Sequence, residues 1–133
     1  MRYMLDTNIC IYLIKKNPEK VLRHFREHAI GEIGISSITL AELHLGVEKS
    51  LHIEKNREAL EEFITPLDIA PFDAEASSAY GMLRSSLEQA GTPIGAMDLL
   101  IAAHAMSLGA TLVTNNVREF KRIRKLKIAD WTS

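Results

Sequence analysis

Cysteine is all but missing from this chain: Cys10 stands alone among 133 residues. A single cysteine cannot close an internal disulfide. It lies in an apolar segment, so a buried thiol in a reducing compartment is expected. No apolar run approaches the ~18 residues of a membrane-spanning helix, and no basic-then-apolar leader opens the chain. A cytoplasmic protein without membrane contact is therefore expected. Internal repeats, low-complexity tracts and linkers are absent as well. With one cysteine and five histidines scattered without ligand spacing, a Cys/His zinc centre is disfavoured. The net charge of −1 excludes a protein that acts as a polycation.

What is present points to a globular protein. The hydrophobic content of 47% argues against disorder. The length suits one domain over 1–133, and such a domain buries roughly two-thirds of its unfolded surface. Charge is unevenly spread. Between Arg118 and Lys127 six basic residues (Arg118, Lys121, Arg122, Arg124, Lys125, Lys127) face one acid, Glu119. Between Glu54 and Glu75 seven acids face only Lys55 and Arg57. The basic run reads either as a solvated face or as a nucleic-acid footprint centred on Lys121, Arg122, Arg124 and Lys125.

Short apolar runs at Arg2–Thr7, Glu32–Ser36, Leu67–Phe72 and Ala110–Thr114 alternate with longer stretches of helical spacing. The helical stretches are the apolar segment after Asn8, Pro18–Ala29, Ser37–Ser50, His52–Thr65, Ala74–Ala90 and Ala96–Leu108. This alternation predicts a parallel sheet covered by helices on both faces. In such sheets, ligands bind beyond the carboxyl ends of the strands. Asp6, Ser36, Ser37, Thr114, Asn115 and Asn116 all fall there.

Three acids sit in conspicuously apolar surroundings. Asp6 joins a strand to a helix; it, or Asn8, would serve as an N-cap. Glu42 follows Thr39 by three, the spacing of a capping box. Ser36 and Ser37 are nevertheless better placed to start that helix, which puts Glu42 in its second turn. Asp98 enters the apolar stretch "GAMDLLIAAHAM" with no basic neighbour on its helix, and a buried unpaired carboxylate costs several kcal/mol. One explanation covers all three: they converge on a hard divalent cation, Mg²⁺ or Mn²⁺. Such an ion lowers the pKa of water and offsets phosphate charge, which suits phosphoryl chemistry. Glu42 would orient or deprotonate the water.

The segments "MLDTNICIYLI", "SSITLAELHLGVEKS", "GTPIGAMDLLIAAHA" and "LVTNNVREF", in that order over nearly the whole chain, resemble PIN-domain ribonucleases, above all the VapC-type toxins of VapBC toxin–antitoxin pairs. The resemblance implies a three-layer α/β/α sandwich around a small parallel sheet. It implies a Mg²⁺- or Mn²⁺-dependent endoribonuclease acting on structured RNA such as tRNA, with a cognate VapB-type antitoxin as partner and a toxin homodimer within a hetero-oligomer. Asp6, Glu42 and Asp98 match the family's acids, and Thr114 matches a hydroxyl beside its metal. Many PIN domains carry an acid where this chain has Asn116; an amide ligates weakly, and Glu119 lies nearby to substitute. One ion is therefore expected rather than two. A haloacid-dehalogenase-like phosphatase needs a second Asp where Asn8 stands. A non-catalytic binding module and a DNA-directed nuclease of the same fold compete with the ribonuclease reading.

Overall fold

The computed structural model describes residues 1–133. Its elements are β1 (Tyr3–Leu5), α1 (Thr7–Lys15), α2 (Glu19–Arg26), β2 (Ile33–Ser36), α3 (Ser37–Glu48), α4 (Ile53–Ile64), β3 (Asp68–Ala70), α5 (Ala74–Gln89), α6 (Ala96–Leu108), β4 (Thr111–Val113), α7 (Val117–Phe120) and β5 (Ile128–Ala129). The five strands form one sheet in the order β3-β2-β1-β4-β5, every neighbouring pair parallel. No helix is long and apolar enough to cross a membrane.

The layers follow from strand alternation. In β1, Met4 and Leu5 point to opposite faces, as successive strand residues must. Met4 joins Leu87, Leu99, Ile101, Ala105, Leu112 and Phe120 under α5 and α6. Leu5 joins Ile9, Leu13, Ile35, Leu43, Leu60 and Val113 under α1, α3 and α4. The sheet is thus sandwiched between two apolar layers, the expected α/β/α arrangement. Helix α6 is apolar almost all round because it is nearly engulfed: Leu99, Ile101, Ala102, Ala103, His104 and Ala105 are all buried. It stops at Gly109, whose φ of 66° is the left-handed conformation that ends helices and that glycine adopts without a Cβ clash. Gly34 answers a different demand. A Cβ there would collide with the Asp68 carbonyl oxygen, so β2 and β3 pair only around a bare backbone.

Strand order decides where a site can form. The chain runs from β1 outward through β2 to β3, then returns to place β4 on the other side of β1. The order reverses at β1, so a crevice opens beyond the carboxyl ends of β1 and β4. Asp6 and Thr114 are the residues that follow those two strands. The Asp6 N–H donates to the Val113 carbonyl at 3.0 Å and ties the two strand ends together.

Two elements differ from the sequence expectation. β5 and α7 were not expected, because one spans two residues, the other four, and neither is long enough for a periodic pattern. The basic run is therefore not one helical face. It leaves α7 as a string of turns, pinned by buried Ile123 and Leu126, with Lys121, Arg122, Arg124, Lys125 and Lys127 exposed between them.

Candidate active site

Asp6 ends β1 and starts α1. As the N-cap it accepts the Ile9 N–H at 2.9 Å through Oδ1. It is only 5% exposed. Burial is the main influence on its carboxyl group, and the charges of Asp98 and Glu42 act in the same direction. Hydrogen bonds from the Thr114 hydroxyl and the Ile9 N–H oppose them. The balance holds its pKa up at about 6. Capping and a place among the acids are thus not rival roles for Asp6; the same carboxylate does both. Asn8, the alternative cap, lies exposed within α1.

Ser36 caps α3 by accepting the Ile38 N–H at 3.0 Å, so Glu42 sits in the second turn and not in a capping box. Its Oε1 accepts the Thr7 hydroxyl at 2.6 Å. Thr7 is the residue that sequence reasoning missed. A signal exists: a hydroxyl in the first helical turn beside the Asp6 cap has few backbone partners left and can reach a neighbouring helix.

Asp98 lies in the first turn of α6, whose N-cap position, Gly95, offers no side chain. It is half-buried, less enclosed than its apolar flanks suggested, because Gly95, Ala96 and Met97 are exposed. Desolvation raises its pKa first, then the charges of Glu119 and Glu42; no hydrogen bond lowers it. Glu119, on α7, spans the gap beside it. One oxygen accepts the Gly95 N–H at 3.3 Å and the other accepts the Asn116 amide at 2.7 Å. The Asn116 N–H in turn donates to the Thr114 hydroxyl oxygen at 3.0 Å. Asn116 is thereby a strut between Thr114 and Glu119, and Glu119 brings the charge that Asn116 lacks. Arg122 donates to the Pro93 carbonyl at 2.8 Å, so this member of the basic run also holds the loop that leads into α6. Asn115 turns away and donates to the Tyr12 hydroxyl at 2.9 Å.

Asp98 and Glu42 thus act on Asp6, and Glu119 and Glu42 on Asp98, from separate elements, and none of the four acids is in an ion pair. As the side chains stand, no three of the acids, histidines and cysteine converge closely enough to hold an ion. The donor chemistry still fits a hard cation. Every group is an oxygen, Asp6 is desolvated without a counter-charge, and Mg²⁺ keeps several of its own waters, so the carboxylates need not all touch it.

A PIN-domain profile matches residues 3–126. Ribonuclease VapC2 of Rickettsia felis is 50% identical over 132 residues, covering 98% of both chains. This chain belongs to the PIN-domain family, among the VapC ribonucleases. The tRNA(fMet)-specific endonuclease VapC of Salmonella typhimurium is 45% identical over 131 residues, again 98% of each chain. Among solved structures, VapBC2 from Rickettsia felis bound to a DNA fragment from their promoter contains a chain that is 49% identical. It superposes with a TM-score of 0.92 over 98% of this chain and 99% of that one. The VapC fold expected from the sequence is thus the fold observed, and the match runs through every segment that carries the four acids.

Proposed function

We propose that this VapC ribonuclease is a Mg²⁺-dependent endonuclease (Mn²⁺ serving as an alternative) that cuts structured RNA of the tRNA class, and that it is the toxin of a type II pair. The observation that carries the reading is Asp6: a carboxylate buried without a counter-ion, with Asp98 and Glu42 raising its pKa further. Burial of that kind is costly and is tolerated where a cation compensates it.

Asp6 and Asp98 would hold the ion, with Glu42 beside them and Glu119 behind Asp98. When bound, the ion supplies Lewis acidity, lowering the pKa of water and offsetting charge on the phosphate. The rest falls to the protein. Thr114 and the Ile9 N–H fix both the rotamer and the charge of Asp6. Thr7 holds Oε1 of Glu42, which leaves Oε2 to orient the attacking water and take its proton. Glu119 and Asn116 brace the loop that aims Asp98. Lys121, Arg124 and Lys125 are exposed to meet RNA phosphates, more freely than Arg122.

A VapB-type antitoxin is the expected partner, since the similar structures are VapBC complexes. A groove of about 410 Å³ between α1, α3 and α4, lined by Ile11, Ile14, Leu43, Val47 and Leu60 with Glu42 on its rim, suits an amphipathic helix ending at the acids. A toxin homodimer inside that hetero-oligomer completes the assembly, in the cytoplasm.

The test is Asp98→Asn, which keeps shape and removes the charge. With labelled tRNA and purified protein, Mg²⁺-dependent cleavage should fall by about 100-fold or more, with circular dichroism unchanged. Wild-type cleavage by the variant, or wild-type cleavage in EDTA, sinks the assignment.

A further inference from the structure

His104 is the one buried histidine of the chain, 1% exposed in the middle of α6. An imidazole in the stretch Leu99–Met106 buries two polar nitrogens where a leucine would bury none, and that costs free energy unless both are paired. Nδ1 is paired: it lies 2.8 Å from the Ser36 hydroxyl, which is itself fully buried. Phe72 meets the ring edge-on at 5.3 Å, and the Phe72 N–H donates to the Ser37 hydroxyl at 3.0 Å.

The Ser36 hydroxyl that meets Nδ1 also accepts the Ile38 N–H at 3.0 Å. Burial disfavours the imidazolium and keeps the ring neutral. The chain of bonds runs from the Ile38 N–H through Ser36 to His104 and fastens α6 to the first turn of α3, while the Phe72 ring against the imidazole ties in the loop after β3. Those helices carry Asp98 and Glu42.

We propose that His104 is a positioning residue for the ribonuclease site: through Ser36 its imidazole sets the start of the Glu42 helix against the Asp98 helix. The proposal rests on the reading of those two acids as catalytic. A displacement of about 1 Å at such groups costs about 100-fold in rate.

The test uses the full chain and three variants. His104→Leu fills the volume without polar atoms. His104→Asn places an amide group at the position of Nδ1, where it can pair with Ser36 in either direction. Ser36→Ala loses the same bond, and the α3 cap with it, at little change of volume, and stands in should His104→Leu fail to fold. In His104→Leu, kcat on tRNA should fall about 10- to 100-fold. KM should stay within about twofold, because the exposed phosphate-binding side chains are untouched. The Mg²⁺ concentration giving a half-maximal melting shift should rise. The Glu42 and Asp98 amide resonances should move. His104→Asn should recover most of each change. Wild-type kcat with unmoved amides in His104→Leu, or equal impairment of Leu and Asn, overturns the proposal. A wild-type chain that neither cleaves RNA nor responds to Mg²⁺ would instead sink the reading of the acids. The amide comparison would then still decide whether His104 sets Glu42 against Asp98.

Discussion

Replacing Asp6 with asparagine should stabilise the metal-free protein at neutral pH and above. The carboxyl group ionises near 3.8 in an open chain and near 6 in the fold. That difference makes the folded carboxylate about 3 kcal/mol worse than its unfolded counterpart. The sign follows from proton binding. Between the two values the folded state holds a proton that the unfolded state has released, so stability falls as pH rises from about 4 to about 6, then levels off. Asparagine caps helices as well as aspartate does, so the bond from Ile9 survives. The favourable charge at the N-terminus of α1 is already within that balance. The net gain for Asp6→Asn at pH 8 is then about 3 kcal/mol, or about 12 °C in melting temperature for a chain of this size. Near pH 4, where the folded carboxyl is already protonated, the two proteins should melt within a few degrees of each other.

The assay is thermal melting of both proteins in EDTA from pH 4 to pH 8. Other groups titrate in that range, so the difference between the curves is the quantity that isolates Asp6. Adding Mg²⁺ should reverse the order at pH 8. A ligand at 1,000 times its dissociation constant adds about 4.1 kcal/mol to a protein that binds it only when folded. The variant lacks one carboxylate and should gain less. An Asp6→Asn protein no more stable than wild type at pH 8 in EDTA would refute the claim that this carboxylate is buried against its charge.

Thr7→Val, which keeps shape and removes the hydroxyl from Glu42, should cost about 1 kcal/mol in chemical denaturation. Its cleavage rate should drop about tenfold, and an unchanged rate would mean that Glu42 needs no brace. Changing Lys121, Arg124 and Lys125 to alanine should flatten the plot of log RNA affinity against log salt, by about 0.7–0.9 for each phosphate no longer neutralised. Adding Arg122→Ala should also lower the melting temperature, because that side chain holds Pro93; equal stability of the triple and quadruple variants would argue against the strut.

The parts of this molecule that can be read from the sequence are those with a repeating physical signal. Four strands are legible because short apolar runs such as Tyr3-Met4-Leu5 and Leu112-Val113 lie between polar ends. The helices from α2 to α5 are legible because apolar residues recur every three or four positions, and α1 and α6 because an apolar stretch of helical length follows a strand end or a glycine. Asp6, Glu42 and Asp98 stand out because a charge in apolar sequence needs a compensating partner. β5 and α7 carry no such period, and they are fixed by packing of Phe120, Ile123 and Trp131 against residues far away in the chain. The bonds from Thr7 to Glu42, Asn116 to Glu119 and His104 to Ser36 are legible only when helices distant in sequence come together. Capping a helix and standing among the acids are compatible at Asp6. A helix N-terminus at a strand end supplies N–H groups that stabilise a carboxylate, while the parallel sheet around it excludes water. The cap is therefore what allows a charge to be kept at that junction. The two larger effects that remain, desolvation and the neighbouring acids, are the ones a bound cation would relieve.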